Sequence, residues 1–495
     1  MKHLKKLLIK AIIFVMLSSG TVLFLNQVLT PKYFYNNTWP TTSTYLGFYK
    51  MERNTVDVLF FGSSHAASSF SPQILYDRYG ITSYNLGCEQ QNLITSYYWL
   101  KEALRFQKPK AIVLDCYILF PYNKGEALNA SESCTRKAMD YMKWSPVKWE
   151  AVHAICAVDE KQTLSSYYLP NIRFHTRWTG LNEEDFTFSQ MSSHYELKGF
   201  TALSKFSENQ DYHPFSAEES NDEEPMVELM EEYLDKITEL CSQQGISLLL
   251  VKTPSVSEDV KKYNRLQRYA EEHELAFIDF NENHIYHKIG YDFAIDNADS
   301  GHGNAWGAAR ITSYLGKLLQ NQYGLAEKTD IQWEETKEYY KDVIKDCSLK
   351  MITDMDCYLD LIKDHRYWIM IAVKDEGTEA LDDNLLQRLR NLGLKAELEG
   401  EYRSSYYGIV AEGNVKEALG YEMLKEAGTI RNGRSYYEIS SAGYENGNTC
   451  SIRIDGTEYA KNMRGINIVV YNHVTKTVVD SVCFDTHTKG AKAQR

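Results

Sequence analysis

Three short stretches of this 495-residue chain carry side chains able to do chemistry together. Gly62-Ser63-Ser64-His65 offers two hydroxyls and an imidazole at the end of an apolar run. Asp299-Ser300-Gly301-His302 sets a carboxylate and an imidazole three apart in a glycine-containing loop. Asp115 closes a further apolar run. The DxxH spacing lets the carboxylate hold one ring nitrogen while the other faces a nucleophile. A serine so activated attacks a carbonyl carbon, which is acyl-transfer chemistry.

These residues need a scaffold that brings them to one edge. Asp57 to Phe61, Thr82 to Gly87 and Ala111 to Asp115 read as buried strands joined by helices. Ser71, Pro72 and Gly80 mark the start and stop of the first intervening helix. The alternation resumes with an amphipathic helix from Pro225 to Gln244, closed by Gly245. Strands at Ser247–Val251 and Ala276–Phe280 follow, and the DxxH loop then feeds a helix from about Ala305 to Leu319. The expected fold class is α/β, a mainly parallel, right-handed sheet with helices on both faces. Its C-terminal strand edge is where ligands bind in such sheets. Between about 119 and 221 the repeat breaks, which predicts a lid-like insertion; His175, Arg177 and Trp178 are its most chemically suggestive residues.

Composition narrows the class. A net charge of −13 leaves nothing to neutralise phosphates, so nucleic acid is not an expected partner. Nine scattered cysteines without a CxxC argue against a zinc site, and neither metal nor organic cofactor is expected. Lys2, Lys5, Lys6 and Lys10 precede an apolar run from Ala11 to Leu25, extendable from Leu7 to Leu29. That length matches the ~20 residues needed to cross a bilayer. Ser18-Ser19-Gly20 offers a cleavage site, but the apolar run continues past it, so a single-pass anchor is favoured over a cleaved signal peptide. The basic flank keeps the N-terminus cytoplasmic and places the bulk of the chain outside. Expected boundaries are an anchor at 1–30, a stalk at 31–54, the α/β domain at 55–322, a helical connector at 323–349, a second domain at 350–488 and a tail at 489–495.

Gly62-Ser63-Ser64, Gly87 and Asp299-x-x-His302, in that order, resemble the blocks of the SGNH/GDSL hydrolase superfamily. The Gly-Ser-Ser variant is similar to its membrane-anchored, DltD-like branch, associated with teichoic-acid D-alanylation. The resemblance implies Ser64 as nucleophile, His302 as base and Asp299 as its partner. It also implies an oxyanion hole from the N–H groups of Gly87 and Ser64. Ser63 is the fallback nucleophile. His65 reads as lining the site rather than as the base, because the helix start that follows should turn it away; Ser63, Asp115 and Asn304 are further lining candidates. The family's Gly-x-Asn-Asp block is absent: Asp115-Cys116-Tyr117 stands in its place, so the asparagine donor is missing. The implied activity is esterase or O-acyltransferase on acylated cell-surface glycan or teichoic acid, with a membrane-bound O-acyltransferase as partner. The alternative is a degenerate surface protein that binds glycan or that partner without turnover.

The C-terminal third has a strand at Trp368–Val373, a helix from Leu381 to Leu392, and later runs around Ser440, Ile452, Arg464–Val470 and Val478–Thr486. Asp455-Gly456 is a hairpin signal. These runs resemble the interleukin-like EMT-inducer (ILEI/PANDER) domain with its halves circularly permuted, a smaller α+β domain. By that resemblance it is a carbohydrate-recognition or protein-contact module.

Overall fold

Five parallel strands carry the candidate site. They are β1 (Val58–Phe61), β2 (Ser83–Asn85), β3 (Ala111–Asp115), β4 (Ser247–Lys252) and β5 (Ala276–Asp279), in the spatial order β2-β1-β3-β4-β5. Every neighbouring pair is parallel. The chain leaves β1 for β2 on one side and returns to β3 on the other, so the sheet's topological switch lies between β1 and β3. This computed structural model describes residues 2–31, 41–181, 183–186, 195–207, 211–325, 327–430, 435–475 and 477–495. They fall into two compact units, Met1–Tyr340 and Lys341–Arg495.

Both faces of the parallel sheet are covered. Leu59, Phe61, Ile112 and Leu114 pack on one side with Trp99, Met230 and Leu234. Val58, Phe60, Val113 and Val251 pack on the other with Ile311 and Leu315. Helix punctuation follows local chemistry. Ser71 accepts from the Ile74 N–H and Pro72 occupies the first turn of the helix Pro72–Tyr79, which Gly80 ends in a left-handed conformation. Gly245 closes the helix Glu228–Gln244 in the same way.

Two stretches outside the expected α/β core belong to it. Within the expected stalk, Thr44 to Phe48 belong to the core: the helix Thr41–Phe48 buries Tyr45, which stacks on Trp99 with ring centroids 4.3 Å apart. Residues 32–40 lie outside the described residues. Trp333, in the expected connector, is fully buried in the first unit against Tyr76.

The second unit is built on one mixed sheet. Its strands are β6 (Tyr367–Asp375), β7 (Ser405–Ala411), β8 (Asn414–Gly420), β9 (Leu424–Ile430), β10 (Ser435–Gly443), β11 (Thr449–Ile454), β12 (Thr457–Glu458), β13 (Gly465–Asn472), β14 (Thr477–Phe484) and β15 (Ala493–Gln494). β6 is central, antiparallel to β13 on one edge and to β7 on the other, where β10 joins it in parallel at Lys374–Asp375. Alternate residues of β6 serve two cores: Ile369, Ile371 and Val373 meet the helices Met355–Leu361 and Asp383–Asn391, whereas Trp368, Met370 and Ala372 pack with β10 and β11. Asp455 and Gly456 both have positive φ in the β11–β12 turn. The expected tail is part of this sheet, since β15 pairs with β14.

Candidate active site

Ser64 begins a six-residue helix, Ser64–Ser69, directly after β1. Gly62 makes the turn possible. Its φ is +138°, and a Cβ there would lie 2.6 Å from the Asp115 Cβ. Ser63 is the N-cap: its Oγ accepts from the His65 N–H at 3.3 Å and donates to Asp115 Oδ2 at 3.4 Å. Its hydroxyl is thereby turned to β3, while that of Ser64 faces the DxxH loop.

The loop meets it there. Ser64 Oγ lies 2.8 Å from His302 Nε2, although 238 positions separate the two residues. His302 Nδ1 lies 2.9 Å from each carboxylate oxygen of Asp299. Asp299 Oδ1 also accepts from the backbone N–H groups of Gly301 and His302, each at 2.9 Å. Partial burial works to raise the Asp299 carboxyl, but the His302 hydrogen bond and charge and these two N–H groups outweigh it and hold it at about 2. With Nδ1–H donated to a permanent carboxylate, Nε2 is left to accept the Ser64 proton.

His65 lies beneath this pair. Its ring stacks on Tyr117 at 3.7 Å and sits 4.9 Å from the His302 ring, and its Nδ1 is 3.3 Å from Thr253 Oγ1. Burial first, then the neighbouring His302, pushes its pKa well down, so His65 is neutral. Gly301 rests directly on it: a Cβ there would meet His65 Cε1 at 3.0 Å.

Lower still, at the strand ends, Lys252 is ion-paired with Glu258, and each side chain is only 1% exposed. Asp115 and Asp279 are both buried beside this pair. Burial drives both carboxyls up to about 7, with Lys252 opposing and Glu258 adding to the rise. Asp115 Oδ1 and Asp279 Oδ2 have no hydrogen-bond partner among the described residues.

The oxyanion side is less complete. Among the described residues the Ser64 N–H, at the first turn of its helix, has no partner. The Gly87 N–H, however, donates to Asn85 Oδ1 at 2.9 Å. Asn85 is itself fixed, because its Nδ2 donates to the carbonyls of Ala66 and Phe70 at 2.8 and 2.9 Å. Asn304 caps the helix Ala305–Tyr323, accepting from the N–H groups of Trp306 and Gly307, rather than presenting its amide to Ser64. His175 Nδ1 contacts the Ile172 carbonyl, and Arg177 is engaged with Asp185 and the carbonyl of Leu29, so neither reaches this group.

Sequence reasoning missed Tyr117, Thr253, Asn85 and the Lys252–Glu258 pair. The available signal was position: Lys252 and Tyr117 both fall at or just past the C-terminal end of a buried strand, where a polar group faces the ligand edge.

No protein-family model matches the chain, and no curated protein matches its sequence. Among solved structures, a candidate acylhydrolase from Bacteroides fragilis overlaps it with a TM-score of 0.27 and 10% identity, covering 57% of this chain and 95% of the other. A GDSL-like lipase from Bacteroides thetaiotaomicron overlaps with a TM-score of 0.26 and 9% identity, covering 56% and 98%. Overlaps this loose carry no weight beside the side-chain geometry.

Proposed function

We propose that the protein is a membrane-anchored serine esterase or O-acyltransferase of the SGNH/GDSL type. The reading is that it acts outside the cytoplasm on acyl esters, acetyl or D-alanyl, of cell-surface polysaccharide or teichoic acid. The observation that carries it is the continuous relay from Ser64 Oγ through His302 to Asp299, at 2.8 and 2.9 Å. In the first half-reaction Ser64 Oγ bonds to the acyl carbonyl carbon while its proton passes to His302 Nε2. Collapse of the tetrahedral adduct breaks the ester bond, and the departing alcohol takes that proton. In the second, water or an acceptor hydroxyl gives its proton to Nε2 and attacks the acyl-enzyme, and Ser64 Oγ recovers the proton as it leaves. Asp299 stays ionised throughout and steadies the imidazolium.

The membrane reading is supported by the N-terminal helix Lys2–Leu29, which is long enough to cross a bilayer and contains within His3–Leu29 an 18-residue window of mean hydropathy 2.2. Its end is hydrogen-bonded to Asn171 and Arg177 of the same unit through Asn26 and Leu29, which favours a retained anchor over a cleaved leader. A fluorophosphonate probe tests the serine: an adduct on Ser64 in the folded protein, absent from Ser64→Ala, is expected. No adduct on Ser64 would remove the serine-hydrolase reading.

One observation favours a rival, a degenerate surface protein that binds glycan or an acyltransferase partner without turnover. With the Gly87 N–H held by Asn85, the Ser64 N–H is the one of the two expected donors left ready for an oxyanion, and loss of one such donor costs about 100- to 1000-fold in turnover. Probe labelling without catalytic release of acetate from acetylated surface glycan identifies this rival. The second unit we read as the glycan- or protein-contact module of an ILEI type; absence of saturable glycan binding by the full chain removes the glycan part of that reading.

A further inference from the structure

The end of the apolar helix is built into the first unit. The helix side chains are exposed along most of its length, yet Val28 and Leu29 are buried. The Asn171 N–H donates to Asn26 Oδ1 at 3.0 Å, and Arg177 Nη1 donates to the Leu29 carbonyl at 2.7 Å. Arg177 is held in turn by the buried Asp185 at 2.7 Å.

The segments making these contacts, and the chain leading into them, carry large apolar side chains left exposed among the described residues. Leu169, Ile172 and Phe186 are exposed, and Trp178, next to Arg177, is 70% exposed. Tyr168, just before Leu169, stacks at 5.0 Å on Trp144, which precedes the helix Pro146–Val158, and both rings are still open to solvent. Scattered single apolar residues on a surface need no cause, but a cluster of this kind marks an interaction site. Its composition is that of a bilayer interface, where Trp and Tyr rings settle at the headgroup level and aliphatic residues dip below. Its position, contiguous with the exit of a membrane-length helix, points the same way.

We propose that Trp144, Tyr168, Leu169, Ile172, Trp178 and Phe186 form a collar that seats the first unit in the outer face of the phospholipid bilayer. This rests on the anchor reading above and adds to it a second, peripheral contact. The Arg177–Leu29 and Asn171–Asn26 bonds fix the collar relative to the helix, so insertion of one presents the other.

The test uses the full chain reconstituted in phosphatidylcholine–phosphatidylglycerol vesicles holding a small fraction of a phosphatidylcholine with a diazirine just below its ester linkage. After irradiation, lipid adducts are mapped by mass spectrometry. Adducts are expected both within Ala11–Leu29 and on peptides carrying Tyr168–Ile172 and Trp178, at yields within a few-fold of each other. A Trp178→Ser, Ile172→Ser variant should lose most collar adducts while keeping those on the helix and its fluorophosphonate labelling at Ser64. Adducts on the helix with none on the collar would overturn the collar, leave the anchor standing and assign the patch to a protein partner. Adducts on neither would overturn both.

Discussion

Two carboxylates of the candidate site, Asp299 and Asp115, are tuned in opposite directions, and pH separates them. Asp299 is held at about 2, below its unfolded value, so its contribution to stability is present above about pH 4 and is lost as pH falls through about 2. Asp115 is raised to about 7 by burial, so the folded state holds its proton more tightly and stability declines as pH rises from about 4 to about 7. Asp115→Asn should therefore lose less melting temperature between pH 5 and pH 8 than the parent protein. Equal losses in thermal melts would show that Asp115 is not the titrating group. At the relay itself, Asp299→Asn takes away the carboxylate that orients the His302 ring. Turnover of an acyl ester is expected to fall by about 10³- to 10⁴-fold, with the fold intact by circular dichroism. A fall of less than tenfold would mean that His302 is oriented by something else.

At the scale of elements, the turn between β1 and the Ser64 helix is the most constrained point of the site. Gly62→Ala combines a positive φ with a Cβ placed against Asp115, and should cost about 3 kcal/mol of stability, read as a lowered denaturant midpoint. A midpoint within error of the parent would show that β1 and β3 can move apart. The elements that place the site were legible because their signals are local: buried β-branched and aromatic runs for β1 and β3, and Ser71, Gly80 and Gly245 as helix punctuation. The strands β7, β8 and β9 were not. β8 and β9 lie largely on the surface, and their Lys, Glu and Ala content reads as helical or coil, while the β7–β8 turn uses Glu412-Gly413, both at positive φ, instead of Asn-Gly or Asp-Gly. The Ser64–His302 encounter was legible as order along the chain, and the occupied Gly87 N–H also had a local signal: an Asn whose side-chain oxygen accepts from the N–H two residues on is an Asx-turn, and Asn85-Leu86-Gly87 has that spacing. What no local pattern reports is the hold on Asn85 Nδ2 by the distant carbonyls of Ala66 and Phe70.

For the whole molecule, the anchor reading predicts that the intact mass of the purified protein retains Lys10 and the residues before it; a mature chain beginning near Thr21 would show a cleaved leader. The hydrogen bonds that clamp Asn26 and Leu29 to the first unit have a mechanical meaning. A domain on a flexible tether samples a hemisphere, and its effective concentration toward any one target falls with tether length. On the anchor reading proposed above, the N-terminal helix is a mast, not a leash. The Ser64 site belongs to the same compact unit as the clamp. On that reading its height and tilt above the lipid are set by the fold, and encounters with the proposed acyl substrate become a two-dimensional search by lateral diffusion at one fixed level.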